Sequence, residues 1–259
     1  MKYTIIAKND DISNQLKEYL KKKITLSEAK KEPDIVVAIG GDGTFLKAIH
    51  QYPDAIIFGL HTGHLGFYSN YTKEDVEDLI LDINEQSYQI EYLDALECKI
   101  LNGKKEITHY ALNEMTLIMP PRTLILDVYI DDTKLETFRG TGFCISTAYG
   151  STAYNKSLHG AVVDANIKAF QLTEIAGINS NQYRTLSSPL LLSKERKVTF
   201  SAKEKEEIFV TIDHLSYSLD QFSNASITLD QGRFKVGFHK MPHFVERIKR
   251  TFLEKNSID

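Results

Sequence analysis

The chain has 259 residues, 42% of them hydrophobic and 25% charged. These are proportions of a soluble globular protein with room for one large or two modest domains. A formal net charge of −4 argues against a general nucleic-acid binder, which carries a basic excess. No apolar run approaches the roughly 20 residues needed to span a bilayer. The N-terminal residues 1–7 have neither a signal-peptide hydrophobic region nor a cleavage site. Cys98 and Cys144 have no C-x-x-C partner and no nearby His pair. Reduced, buried thiols in a cytoplasmic protein are therefore expected.

The first third alternates strand and helix patterns. Residues 2–7 predict a strand, and residues 11–22 an amphipathic helix with Ile12, Leu16 and Leu20 at helical spacing. The run Lys21-Lys22-Lys23 is read as the solvated face of that helix. The apolar run 35–39 predicts a buried strand, followed by Gly40-Gly41-Asp42-Gly43-Thr44 and a short helix over 44–50. Three glycines around one carboxylate leave little side-chain bulk, so a ligand can approach the main chain closely. Thr44 is expected to cap the helix, whose free N–H groups favour anions. The combination suits a phosphate held next to an acid that binds a hydroxyl or a metal ion. Residues 55–60 predict another buried strand. Thr72-Lys73-Glu74-Asp75 then reads as an acidic N-cap to a helix carrying Val76, Leu79, Ile80 and Ile83. Alternation of this kind implies a parallel sheet covered on both faces, with ligands bound beyond the carboxyl ends of the strands. Asp42 and the loop His61-Thr62-Gly63-His64-Leu65-Gly66-Phe67-Tyr68 lie at such ends.

From about residue 88 strand patterns take over. Residues 88–101 and 105–119 flank Asn102-Gly103, and 124–130 and 134–139 flank Asp131-Asp132, both hairpin signals. Further strands are expected at 197–202, at 207–213 and as a pair split by Gln231-Gly232. Residues 161–176 read as the one long helix of this region. The segment 243–253 reads as helical again, with Phe244, Val245, Ile248 and Phe252 on an apolar face. A mostly antiparallel β domain follows.

Two more segments bear chemistry. Ser146-Thr147-Ala148-Tyr149-Gly150-Ser151-Thr152-Ala153-Tyr154-Asn155-Lys156-Ser157 crowds small residues and hydroxyls after a strand. It either lines a ribose or phosphate site or is a cap-rich connection from strand to helix. Asn113-Glu114 closes a strand with an amide beside a carboxylate, able to read a purine edge and accept from ribose hydroxyls. The alternative is an ordinary surface pair. His61, His64 and His159 are read as satisfied polar or surface histidines.

Together these segments resemble the NAD kinases, particularly those of Gram-positive bacteria. Gly40-Gly41-Asp42-Gly43-Thr44 matches the family's GGDG motif, and residues 61–67 its x-x-G-x-L-G-F loop. Asn113-Glu114 matches the NE pair, and Gly150-Ser151-Thr152-Ala153-Tyr154 the GSTAY run. Order and spacing agree over roughly residues 34–215. The resemblance implies an NAD-kinase/diacylglycerol-kinase-like fold: an α/β domain over 1–87 with a parallel sheet, and a β-rich NAD-binding domain over 88–239. A C-terminal helix over about 240–259 would pack back on the first domain, and the site would lie between domains. It implies phosphorylation of the adenosine 2′-hydroxyl of NAD by ATP or polyphosphate, with Asp42 as general base or orienting group. Gly41, Gly43 and Thr44 would attend the phosphate, and Phe67 and Tyr68 would wall the adenine. Asn113 would meet the adenine edge and Glu114 the ribose. Thr152, Ala153, Tyr154 and Ser157 would line the adenosine and nicotinamide ends, with Tyr183 and His214 peripheral. Mg²⁺ would be held mainly by nucleotide phosphates rather than by a protein metal site. The partners implied are NAD, ATP and further copies of the chain, commonly in a tetramer, with no nucleic acid and no membrane.

Two departures stand out. Arg139-Gly140-Thr141-Gly142 has Thr where the family usually has Asp, and Ser146-Thr147-Ala148-Tyr149-Gly150 loses a proline and gains a tyrosine. They bear on nicotinamide-end affinity and NAD-versus-NADH preference. The competing readings are a lipid or other small-alcohol kinase sharing only GGDG, and a catalytically weak dinucleotide-binding protein.

Overall fold

The computed structural model describes residues 1–63, 66–239 and 244–254. His64 and Leu65 of the expected loop, and His243 at the start of the expected C-terminal helix, lie outside them. The chain forms two compact units, residues 1–93 with 232–259, and residues 94–231.

The first unit begins with β1 (Lys2–Ala7), α1 (Asp11–Lys23), β2 (Ser27–Glu28), β3 (Ile35–Ile39), α2 (Asp42–Gln51) and β4 (Ile56–His61). It continues through β5 (Tyr71–Thr72), α3 (Val76–Glu85) and the start of β6 (Gln89–Asn102). β2, β1, β3 and β4 lie side by side, all parallel. Every residue of β3 is buried, so both faces of this strand are covered and its unbroken run of apolar residues is accounted for. Ile35, Val37, Ile39, Phe58 and Leu60 form the core with Leu79 and Ile83 of α3. The capping box at Thr72 and Asp75 is present and opens the turn leading into α3.

In the second unit β6 pairs with β7 (Lys105–Ala111) around the Gly103 turn, followed by β8 (Glu114–Ile118). The hairpin β9 (Leu124–Ile130) and β10 (Thr133–Gly140) turns at Asp131. After it come β11 (Gly142–Thr147), the short α4 (Tyr154–Ser157), β12 (Ala169–Ile175), β13 (Leu190–Ser193), β14 (Val198–Ile212) and β15 (Leu215–Phe238). The strand order is β13-β12-β11-β8-β14-β15, antiparallel throughout. Phe138, Phe143, Phe200 and Phe222 fill its core. Cys98 and Cys144 are free thiols within it.

Three expectations are overturned. Residues 161–176 are not a helix: the chain runs irregularly to 168 and then enters β12 between β11 and β13. Two buried polar side chains hold the first part extended. The Gln171 amide bonds Ala161 in both directions (2.9 and 3.1 Å), and Val163 N–H donates to Ser151 Oγ (2.9 Å). The strands expected at 197–202 and 207–213 are one strand, β14, whose halves pair with β9 and β8 across an irregularity near Glu206. Gln231-Gly232 is likewise no hairpin. Gly232 takes a φ of +67° inside β15, and beyond it Lys235 and Val236 pair parallel to β4 instead of folding back.

At the C-terminus, α5 (Phe244–Ile248) continues as a π-helical turn, Lys249–Leu253. Phe244 meets Phe67 edge-on (6.4 Å), and the Arg247 guanidinium donates to the Phe67 carbonyl (3.1 Å) and Asn70 Oδ1 (2.9 Å). Val245, expected on the apolar face, is exposed.

Phe58 is fully buried, with its ring edge-on to Tyr88 (5.0 Å) and tilted against Tyr71 (6.1 Å). Phe58→Ala is expected to destabilise the first unit by about 3–5 kcal/mol, checked by urea unfolding followed by circular dichroism.

Candidate active site

In the first unit, Asp42 stands at the carboxyl end of the parallel sheet, as the first residue of α2. Its carboxylate accepts from the main-chain N–H groups of Phe67 (2.9 Å) and Tyr68 (3.1 Å). This fixes the acid on a rigid cradle. Gly66 is part of it, because a Cβ there would lie 2.2 Å from Asp42 Oδ1. Gly43 has open space above it, and above Gly41 the nearest atom is His61 Nε2 at 4.0 Å. Room for an incoming group is thus kept over the first turn of α2. A cavity of about 560 Å³ adjoins the turn, lined by Lys8, Asp10, Asp11, Gly41, His61 and Gly63 among others. A larger one, about 700 Å³, lies at the amino-terminal ends of β3 and β4, away from Asp42.

Thr44 does not cap α2. The N-cap is Gly41, without a side-chain cap bond, and Thr44 N–H donates to the Gly41 carbonyl (2.9 Å). The helix starts two residues earlier than expected because the chain turns directly at Gly40-Gly41, which places Thr44 inside the first turn. Phe67 and Tyr68 are buried side chains: Tyr68 stacks on Phe45 at 5.1 Å. The direct link from these two residues to Asp42 is through their backbone.

The second unit gathers Asn113, Glu114, Thr152, Ala153 and Tyr154. The chain breaks between β7 and β8 at Leu112-Asn113, and Asp213 holds the break. Its carboxylate accepts from Leu112 N–H (2.9 Å), Asn113 N–H (2.7 Å) and Glu114 N–H (3.2 Å). Thr147 closes the other side, its hydroxyl donating to the Leu112 carbonyl (2.6 Å) and accepting from Gly150 N–H (3.0 Å). Gly150 packs directly on this backbone, where a Cβ would meet the Asn113 carbonyl oxygen at 1.9 Å. Only glycine fits there. Thr152 Oγ1 donates to the Tyr149 carbonyl (3.1 Å), and Ala153 N–H to the Gly150 carbonyl (3.0 Å). This coiled turn delivers Tyr154, whose N–H reaches the Glu114 carboxyl and whose ring is 43% exposed.

Glu114 is 9% exposed, and its Oε2 is buried without a hydrogen-bond partner among the described residues. Burial, reinforced by the Asp213 charge, pushes its carboxyl up to about 8, against the opposing effect of the Tyr154 N–H. An acid in this state both donates and accepts, which suits a sugar hydroxyl.

The remaining expected residues belong to the same unit. Ser157 ends α4 with its side chain exposed. His214 occupies the turn between β14 and β15, next to Asp213. Tyr183 lies under the Arg139 guanidinium, 4.3 Å from the ring centroid, on the loop after β12. Tyr149 is buried in the second unit, and Thr141 joins β10 to β11, donating its N–H to the Ile175 carbonyl (3.0 Å). His159 is exposed, with a φ of +62°. Sequence reasoning passed over Asp213 as a positioning group. A signal was there: an aspartate followed by a short turn between two β patterns is a common place for left-handed backbone, and Asp213 has φ +51°.

The Glu114 carboxyl gives a pH signature. In the folded chain it keeps a proton that an ordinary glutamate, near 4.5, releases. Stability should therefore fall as pH rises from about 4.5 through 8 and level off above. Glu114→Gln is expected to flatten that slope, read from urea midpoints across the range.

The comparisons with known proteins agree with one another. The ATP-NAD kinase N-terminal domain matches residues 4–88 and the ATP-NAD kinase C-terminal domain residues 112–241. An NAD kinase of Geobacillus stearothermophilus is 37% identical over 97% of this chain and 96% of its own. An NAD kinase of Staphylococcus saprophyticus is 42% identical over 83% of this chain and 84% of its own. Among solved structures, an NAD kinase from Archaeoglobus fulgidus in complex with ATP superposes with a TM-score of 0.72, at 25% identity over 96% of this chain and 95% of its own. Yeast NADH kinase complexed with NADH, at 21% identity over 90% of this chain and 72% of its own, has the same fold with a TM-score of 0.75. With both domain models matched in order and relatives aligned along nearly its full length, the chain belongs to the NAD kinase family.

Proposed function

We propose that this chain transfers the terminal phosphoryl group of ATP to the adenosine 2′-hydroxyl of NAD, forming NADP. The observation that carries the assignment of roles is the Asp42 carboxylate, held on two main-chain N–H groups beside open backbone at Gly41 and Gly43. A carboxylate within hydrogen-bond reach of the acceptor hydroxyl takes its proton as the P–O bond forms. Transfer itself depends on in-line positioning and neutralisation of phosphate charge, for which the N-terminus of α2 is placed. Asn113 reads the adenine edge, and Glu114 bonds the ribose hydroxyls through Oε2, which has no hydrogen-bond partner among the described residues. Thr152, Ala153, Tyr154 and Ser157 serve the adenosine and nicotinamide ends, with Tyr183 and His214 at the periphery. The α/β unit is the domain that carries GGDG, and the β-rich unit the NAD-binding domain.

Mg²⁺ would supply charge neutralisation at the phosphates. Two carboxylates, Asp10 and Asp11, border the cavity beside Gly41, and among the described residues no three His, Cys, Asp or Glu side chains converge. Such a donor set fits a cation held mainly by the nucleotide's phosphates. No described helix is long and apolar enough to cross a membrane. A cytoplasmic homotetramer is the setting we propose, on the strength of the family resemblance. Matches to both NAD kinase domains disfavour a lipid kinase that shares only GGDG.

The test is NADP formation from NAD, Mg²⁺ and either ATP or polyphosphate, read with an NADP-specific dehydrogenase, with NADH as a parallel acceptor. Asp42→Asn is expected to lower kcat by about 10²–10⁴ with the fold retained. Tight NAD binding without turnover by any donor would instead identify a dinucleotide-binding protein.

A further inference from the structure

Arg247, in α5, reaches the loop that seats Asp42. Its Nη1–H donates to the Phe67 carbonyl (3.1 Å) and its Nη2–H to Asn70 Oδ1 (2.9 Å), so the guanidinium fork spans the loop from residue 67 to residue 70. The Phe67 carbonyl and the Tyr68 N–H belong to one peptide plane. That N–H donates to Asp42 Oδ1 (3.1 Å). A cation thus stands on one side of a single peptide group, and the carboxylate proposed to react stands on the other. Positive charge at the carbonyl polarises the amide and makes its N–H the better donor, as hydrogen bonds in a chain strengthen one another.

The rest of the loop is held by packing. Tyr68 stacks on Phe45 of α2 (5.1 Å), and Ser69 lies against Gly59 of β4, where a Cβ would come within 2.8 Å of the Ser69 Cα. Phe244, which meets Phe67 edge-on (6.4 Å), lies one turn before Arg247 on the same side of α5. These contacts place the loop, while the guanidinium sets the direction of the peptide that faces Asp42. We propose that Arg247 is a positioning residue for the reaction: it orients and polarises the Phe67–Tyr68 peptide, and the Tyr68 N–H then fixes the Asp42 carboxylate toward the acceptor hydroxyl. The kinetic consequence rests on the phosphotransferase reading of Asp42, whereas the coupling through the peptide does not.

The experiment compares wild type, Arg247→Ala and Arg247→Lys in steady-state NADP formation, with ATP and NAD varied separately. Alanine is expected to lower kcat about 10-fold, less than the ~10² that follows a 1 Å misplacement, with both KM values within about twofold. Lysine keeps the charge and a donor but not the fork, and its kcat is expected to fall between the two. A second readout needs no turnover. Phe-Tyr occurs once in the sequence, so protein carrying ¹³C-carbonyl phenylalanine and ¹⁵N-tyrosine gives one amide cross-peak filtered through the Phe67 carbonyl. Both Arg247 variants should move its carbonyl carbon and its amide proton upfield together, and Asp42→Asn should move the amide proton the same way. An unchanged kcat, a loss confined to KM, or a carbonyl shift without an amide-proton shift would each overturn the proposal, the lysine variant deciding where alanine does not fold. An unmoved cross-peak would reject the role of Arg247 even if the enzyme makes NADP. Joint shifts in a protein that makes no NADP would uphold the coupling of Arg247 to Asp42 while overturning the assigned reaction.

Discussion

A carboxylate seated on the main-chain N–H groups of a segment distant in sequence is the interaction on which both functional regions depend. Asp42 holds Phe67 and Tyr68 in this way, and Asp213 holds Leu112, Asn113 and Glu114. In each case the charge is spread over backbone donors that would otherwise be left unsatisfied where a strand ends or breaks. The two seats serve opposite purposes. Asp42, the carboxylate proposed to react, is held in place by its loop. Asp213 holds the loop, so that its neighbours Asn113 and Glu114 present their side chains.

Close backbone approach completes both seats. Gly66 and Gly150 lie where a single methyl group would collide with Asp42 or with the Asn113 carbonyl. The small residues of the GSTAY run therefore do more than leave space for a ligand. They let a turn lie flat against a neighbouring strand end and bring Tyr154 N–H to Glu114. Glu114 in turn occupies a site in which burial and Asp213 both favour the proton, and its remaining oxygen lacks a partner among the described residues. A buried polar atom left this way costs free energy, of the kind tolerated where a ligand completes the bonding.

The alternating β/α pattern of the first third was legible because β3 is apolar along its whole length and the capping box at Thr72 is local chemistry. The hairpins at Gly103 and Asp131 were legible for the same reason, since each turn needs left-handed backbone that these residue types accept. Residues 161–176 were misread because what holds them comes from tertiary partners: Ser151 bonds Val163, and β11 and β13 flank the second half. At Gly232 the local signal was genuine, a positive φ, but whether a chain reverses there depends on which strand is available to pair beyond it.

By itself the sequence determined the class of fold, the four motifs and hence the family, because those are properties of local pattern and residue order. The tertiary structure decided which atoms each motif residue offers. Phe67 and Tyr68 act on Asp42 through their N–H groups while their rings are buried, Thr44 gives up the cap to Gly41, and Asp213 emerges as the support of the NE pair. Contacts between residues 25 to 101 positions apart set the roles of Phe67, Tyr68 and Asp213. No periodicity or motif spacing encodes them, since they exist only once the strands are in register.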